Sequence, residues 1–300
     1  MRAVVTGAAG FAGYSLVEML IKKGYSVYAI VRPGSFHNSR LIGLVNSDSI
    51  IELDSKSYES LPEYINERCD LFFHLAWSGE RDDFETQYNN IRYALNALES
   101  ASILRCKRFI GIGSQAEYGS TTLLMTEDLK PNPINAYGAA KAASSYLLKC
   151  RAAQLGIDFV WGRIFSLYGR YEPKNRLLPL LLSTMMDGTT DTLQLSSCQQ
   201  NWDYLNVVDA ADAIIALGES GHNGEIYNIA SGDYKPLREY IEDIQVLLNT
   251  SNQIFYGEQA NPLISLQPDI NKITTHTGWR PRMSFKEGIC ALISEVEHAE

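Results

Sequence analysis

The chain lacks most of the features that would assign it quickly. Its five cysteines, Cys69, Cys106, Cys150, Cys198 and Cys290, are odd in number, scattered, and form no Cys-x-x-Cys pair. That excludes a disulfide framework and a thiolate zinc site, and fits a reducing compartment. The five histidines, at 37, 74, 222, 276 and 298, are equally isolated, so no metal is expected. No apolar run reaches the ~18–20 residues that span a bilayer. The greasiest stretch, LLPLLLSTMM at 177–186, is too short. There is no long basic or acidic run, and the formal net charge is −9, which argues against nucleic acid or an anionic membrane as the main partner. The first residues enter a strand pattern directly, without the charged, apolar and cleavage regions of a secretory leader. The expectation is a soluble cytoplasmic protein.

What is present is ordinary globular composition. Of 300 residues, 45% are hydrophobic, enough to bury a sizeable core in one large domain or two small ones. Strand patterns at 1–6, 26–31, 49–53, 70–75, 108–113 and 158–164 alternate with helical patterns at 11–23, 82–104 and 136–155. Strands that read as continuous apolar runs between helices imply a parallel sheet covered on both faces. Right-handed crossovers then make it a doubly wound α/β sheet of the Rossmann type. After about residue 165 the rhythm becomes irregular. A loop at 168–174 precedes a helix at 177–186, a short strand at 203–208, and helices at 209–217 and 237–248. The expected division is a dinucleotide-binding domain over 1–165 and a smaller, mixed C-terminal substrate lobe over 166–300, with segments returning to the sheet.

The stretch VVTGAAGFAG, residues 4–13, places Gly7, Gly10 and Gly13 between the first strand and the first helix. Glycine weakens regular structure by roughly 0.5–1 kcal/mol, so three together point to a close approach to the backbone. Strand, glycine turn and helix make a dinucleotide site: a sharp turn, an approach for a pyrophosphate, and a helix packed close to the sheet. Phe11, Ala12 and Gly13 open the helix whose N-terminus faces the phosphates. The spacing is Gly-x-x-Gly-x-x-Gly rather than Gly-x-Gly-x-x-Gly. The second strand ends at Arg32, where cofactors with a free ribose 2′-hydroxyl are usually met by a carboxylate. A guanidinium suits a 2′-phosphate by bidentate hydrogen bonding, so NADP(H) is favoured over NAD(H), with Ser35 and Arg40 as helpers.

Tyr137 and Lys141 share one face of the third helix at i and i+4. A phenol of pKa about 10 is a poor base at neutral pH, and a neighbouring ammonium favours its ionised form. Ser114 ends the fifth strand, at the carboxyl edge where ligands of such sheets bind. The two side chains can meet one carbonyl oxygen.

The motifs TGAAGFAG, HLAW, GSQAEYG, YGAAK and RIFSLYG resemble those of the extended short-chain dehydrogenase/reductases, and within them the nucleotide-sugar epimerase/dehydratase/reductase group. The resemblance covers nearly the whole chain. It implies Ser114, Tyr137 and Lys141 as the catalytic trio. It also implies Asp54 near the adenine, Ala76 against the cofactor, and Asn90 as the group's helical asparagine. NWDYLNVVDAA at 201–211 resembles an Arg-Asp-Tyr-x-x-Val-x-Asp segment with Trp202 in place of arginine. Residues 163–169 resemble Arg-x-Phe-Asn-x-Tyr-Gly with Ser166 in place of asparagine. Arg163, Lys174, Asn175, Arg176 and Arg238 are candidate ligands of a sugar nucleotide's diphosphate. The group's dimers imply a homodimer through the two long helices.

The loop after Ser114 separates reactions within the group. The 4,6-dehydratases carry Thr-Asp-Glu there; this chain has Ser114-Gln115-Ala116, and neither an amide nor an alanine exchanges the proton that elimination needs. The fucose-synthase type has cysteine at the place of Ala116. Gln115 remains a substrate contact, and Glu117 is either a partner of a sugar hydroxyl or structural. GSxxEYG resembles the reductases of 4-keto-6-deoxy nucleotide sugars, which agrees with NADPH. A 4-epimerase that retains NAD, and an NADPH-binding regulator without turnover, remain open alternatives.

Overall fold

Apolar runs broken by glycine turns set the strands. The computed structural model describes residues 1–187, 192–250, 253–258 and 265–297. Its first half runs β1 (Arg2–Thr6), α1 (Phe11–Lys22), β2 (Ser26–Val31), β3 (Ile50–Glu52), β4 (Leu71–His74), α2 (Phe84–Ile103), β5 (Arg108–Ser114), α3 (Ala136–Leu155) and β6 (Asp158–Ile164). Shorter pieces follow: β7 (Ser166–Tyr168), α4 (Leu177–Asp187), β8 (Thr192–Leu195), β9 (Asn201–Trp202), β10 (Tyr204–Asn206), α5 (Val207–Ser220), β11 (Glu225–Ile229), β12 (Lys235–Pro236), α6 (Leu237–Leu248), β13 (Gln253–Tyr256), α7 (Asn271–Thr277) and α8 (Phe285–Glu297).

Seven strands form one parallel sheet in the order β11-β6-β5-β4-β1-β2-β3. The order reverses between β1 and β4, and the crevice beyond their carboxyl ends is where such sheets bind ligands. Successive strand residues point to opposite faces. Val5, Phe73, Ile110 and Val160 meet α1 and α5, whereas Val4, Phe72, Phe109 and Phe159 meet α2 and α3. Both layers are apolar at mid-strand, and polar residues such as Arg2, Thr6, Ser26, Glu52, Arg108, Ser114 and Asp158 stand at the strand ends.

Local signals place the helix that bears Tyr137. Asn135 caps α3 by accepting the Gly138 N–H at 2.8 Å, and Gly156 ends it in the left-handed region at φ +69°. Gly138 is required for packing, because a Cβ there would lie 2.4 Å from the Ala116 carbonyl oxygen. The start of α3 therefore rests on the loop after β5.

The later half differs from the sequence reading in one main respect. The seventh sheet strand, β11, comes from residues 225–229, where the alternation was too short to register. It pairs with β6 and completes the sheet edge. A third apolar cluster joins α4, α6 and α8 around Tyr168, Tyr204 and Tyr240. Buried Asp203 ties this part to the end of β11: its oxygens accept the Ser231 N–H at 2.9 Å, the Ser231 hydroxyl at 2.7 Å and the Gly232 N–H at 2.8 Å. Among the described residues no helix is long and apolar enough to cross a membrane, and no cluster of His, Cys, Asp and Glu is arranged to hold a metal ion. His298 lies outside them.

Phe109 is fully buried, stacked with Phe72 at 5.3 Å and with Phe159 at 6.4 Å between ring centroids. Phe109→Ala is expected to cost about 3–5 kcal/mol, read as a lower midpoint in urea unfolding. An unchanged midpoint would refute this account of the α2–α3 layer.

Candidate active site

The turn between β1 and α1 is built as a cradle. Gly7 takes φ +70°, and a Cβ on it would lie 2.9 Å from the Ala76 nitrogen. A Cβ on Gly13 would lie 2.0 Å from the Gly7 carbonyl oxygen. These two glycines are demanded by close approach of the segment after β4 and of α1 itself. Gly10 opens α1 without a side-chain cap, and no acidic residue lies in the first turn that Phe11, Ala12 and Gly13 begin. The N–H groups there are left for an anion.

A cavity of about 490 Å³ runs from this turn along the carboxyl ends of the strands. Gly7, Gly10, Arg32, Asp54, Ala76 and Asn90 all line it. Asp54 also accepts the Lys56 N–H at 3.0 Å, and buried Asn90 donates to the Ser78 carbonyl at 2.9 Å. At the end near β2, Ser35 and His37 join Arg32. Arg40, expected as a helper, is not among the lining residues; it donates to the Ala9 carbonyl at 3.2 Å with its guanidinium 4.2 Å from the centre of the Tyr171 ring. His37 was not among the residues singled out from the sequence; its Nδ1 is buried without a hydrogen-bond partner. The glycine cradle, the uncapped helix and the elongated cavity fit a dinucleotide.

Ser114, Tyr137 and Lys141 come together at the carboxyl end of β5. The Ser114 hydroxyl donates to Gln115 Oε1 at 2.7 Å and accepts the Ala116 N–H at 3.2 Å. It also acts on the Tyr137 phenol, pulling its titration point down. The Tyr137 N–H donates to the Arg81 carbonyl at 2.8 Å, so the loop before α2 closes over the start of α3. Lys141 is buried and donates to the Ile112 carbonyl at 2.6 Å. Burial pushes its amine down to about 7, opposed by the Glu117 carboxylate. Burial also raises the Tyr137 phenol above its ordinary value, opposed by Ser114 and by Arg81. The sequence leads one to expect a neighbouring ammonium to favour the phenolate. In this structure desolvation of the phenol itself is the larger influence and raises it.

Sequence comparison bears on what such a site belongs to. The model of the NAD dependent epimerase/dehydratase family matches residues 3–230. The chain belongs to that family. A UDP-N-acetyl-alpha-D-glucosaminuronate decarboxylase of Bacillus cytotoxicus is 28% identical over 96% of this chain and 95% of its own length. A dTDP-4-dehydro-6-deoxyglucose reductase of Escherichia coli is 25% identical over 98% and 96%. In fold, the chain matches a dTDP-glucose 4,6-dehydratase of Bacillus anthracis, solved in complex with NAD, with TM-score 0.87 and 21% identity over 99% of this chain and 97% of that one.

Within this family member, Glu117 is structural. It is fully buried, and its carboxylate accepts the Ser114 N–H at 2.9 Å, the Trp161 indole N–H at 2.9 Å and Arg163 Nε at 2.8 Å. Arg163 is as deeply buried, its guanidinium 4.5 Å from the centre of the Tyr118 ring. Arg163 is therefore withdrawn from the candidate diphosphate ligands: it is the counter-ion of Glu117 and does not reach a solvent-filled site. Lys174, Asn175 and Arg176 are exposed in the loop before α4. Arg176 lies near enough to act electrostatically on both Tyr137 and Glu172. Arg238 pairs with Glu242 at 2.9 Å and lies over Tyr256. Ser166 opens β7 and pairs in register with Tyr204. At 202, the indole of Trp202 is half-buried with its N–H unpartnered. The sequence reading missed Glu172, whose carboxyl burial pushes up to about 7 against the pull of Arg176. It also missed Trp77, although the HLAW motif contained it.

Because the folded pKa of Lys141 lies below its unfolded value near 10.4, the unfolded chain binds more protons between about pH 7 and pH 10. Stability then rises with pH across that window, and the cost of burying the ammonium is largest below pH 7. Lys141→Met is expected to stabilise the fold by on the order of 1–4 kcal/mol at pH 6, with the gain shrinking toward pH 10. Urea midpoints of both proteins across that range test it; a gain that grows with pH would contradict the sign.

Proposed function

We propose that this protein is an NADPH-dependent reductase acting on the C4 ketone of a 4-keto-6-deoxy nucleotide sugar. The observation that carries the reading is the loop after Ser114. Gln115 and Ala116 exchange no proton, and Glu117 is committed to three hydrogen bonds inside the protein. Tyr137 is then the acid–base group beside Ser114, which suits one hydride and one proton rather than an elimination that needs a separate acid and base. NADPH is favoured by Arg32, Ser35 and His37 at one end of the cavity.

A reduced nicotinamide supplies the hydride when bound. Tyr137 holds the proton that goes to the carbonyl oxygen, and the Ser114 hydroxyl polarises that oxygen. Lys141 holds the nicotinamide ribose and biases the phenol toward releasing its proton. The sugar nucleotide lies toward the later half of the chain. Glu172 Oε2, Ser197 Oγ, Gln200 Oε1, the Trp202 indole N–H and the Tyr256 hydroxyl are all buried there without partners. Unpaired buried polar atoms cost about 1–3 kcal/mol each, and a polyhydroxylated ligand would relieve them. A homodimer through α2 and α3 is part of the reading, because Phe84, Tyr88, Tyr146 and Leu147 stand exposed on those helices.

The test is incubation with NADPH or NADH and a panel of 4-keto-6-deoxy nucleotide sugars, following the absorbance of the reduced nicotinamide. Tyr137→Phe should bind NADPH normally and lose about 10²–10⁴-fold in turnover. Arg32→Ala should weaken NADPH about tenfold or more and leave NADH unchanged. Interconversion of sugars without cofactor consumption would replace the reading with a 4-epimerase. NADPH binding with no turnover of any sugar would favour a regulator. For the dimer, Tyr88→Lys combined with Leu147→Lys should sediment as a monomer where the parent does not; an unchanged sedimentation coefficient would remove this interface.

A further inference from the structure

Trp77 packs against Lys141 beside the cofactor cavity. It follows β4, and it lines the cavity. Its indole N–H donates to Gln87 Oε1 at 2.7 Å. Gln87 is itself buried, and its amide donates to the carbonyls of Ser78 at 3.2 Å and Glu80 at 2.9 Å. The ring is thus clamped from α2. The Lys141 ammonium lies 3.6 Å from its centroid. Tyr137 meets the indole edge-on, at 6.3 Å and 86°.

The surroundings of Lys141 offer little else to a cation. The Ile112 carbonyl accepts one N–H. Glu117, in the turn after β5, acts on it electrostatically, but its oxygens are held by Ser114, Trp161 and Arg163. His74 at the end of β4 is kept neutral by burial, which pushes it down to about 3, and bonds Thr6 Oγ1 at 2.9 Å. Tyr137 shares the helix, its ring centroid 5.9 Å away, and the Trp161 ring of β6 is 6.0 Å away.

We propose that Trp77 is a positioning residue acting through Lys141: its clamped indole face keeps the buried amine a cation and holds it between the cofactor cavity and Tyr137. The inference rests on the reading of Lys141 as part of the catalytic trio. A desolvated cation–π contact is worth tenfold or more in a protonation equilibrium, or about one pH unit. Removing the ring lowers the Lys141 titration point and leaves a neutral amine at pH 7, which no longer supports the phenolate of Tyr137.

The experiment is an NMR titration of the full chain carrying ¹³Cε-labelled lysine, with the Lys141 resonance identified by its absence from Lys141→Met. In Trp77→Leu the midpoint should fall by about one pH unit or more. Trp77→Phe, which keeps a smaller π face and is the milder change in packing, should fall by less than Trp77→Leu. A Lys141 midpoint unmoved from the parent in either variant, with NADPH binding retained, overturns the proposal, because a ring that only fills space would leave the titration alone. Turnover surviving in Lys141→Met would instead remove the catalytic reading and leave the midpoint result standing.

Discussion

One buried carboxylate organises the reactive end of this molecule. Glu117 accepts hydrogen bonds from the Ser114 backbone, the Trp161 indole and the Arg163 guanidinium, and so joins the carboxyl ends of β5 and β6 to the loop between β5 and α3. A charge so deeply buried persists only when each of its oxygens is paired. The strand below must yield space for it: a Cβ on Gly113 would lie 2.2 Å from Glu117 Oε1 and from the Trp161 indole nitrogen. The same loop carries Ala116, whose carbonyl meets the start of α3 at Gly138. The position of Ser114, and through α3 that of Tyr137 and Lys141, therefore descends from one ion pair.

Around that pair, burial sets the protonation of the reactive groups. The Tyr137 phenol is driven up and the Lys141 amine down, both by desolvation, so both lean toward their neutral forms. Opposing this are the Ser114 hydroxyl and Arg81 at the phenol, and Glu117, the Ile112 carbonyl and the Trp77 ring at the amine. A site balanced in this way responds to charge brought into the cavity beside it. An oxidised nicotinamide is cationic and a reduced one is not, so the tendency of the phenol to give up its proton differs between the two ends of a hydride transfer.

The later half of the chain is held by polar anchors rather than by a second large sheet. Asp203 fastens the β9–β10 region to the end of β11, and Asp209 accepts the N–H groups of Arg282 and Met283, drawing the approach to α8 onto α5. Glu172, Trp202 and Tyr256 of the same half bury polar atoms without partners. That half of the chain carries polar interior surface that a ligand can complete.

Period and punctuation in the sequence were sufficient for the parallel sheet, the glycine cradle and the order Ser114, Tyr137, Lys141. Each shows in local pattern: continuous apolar runs between helices, a turn that only glycine can make, and a four-residue helical spacing. The brief strand β11 escaped that reading because five residues with polar flanks carry too little periodicity, and it is its pairing with β6 that makes it a strand. The structural role of Glu117 and Arg163, 46 positions apart, and the stacking of Trp77 on Lys141, 64 positions apart, were decided by the tertiary fold alone. Burial is a property of the assembled layers, and a charged or aromatic residue has no fixed role until its neighbours, and the water they exclude, are known.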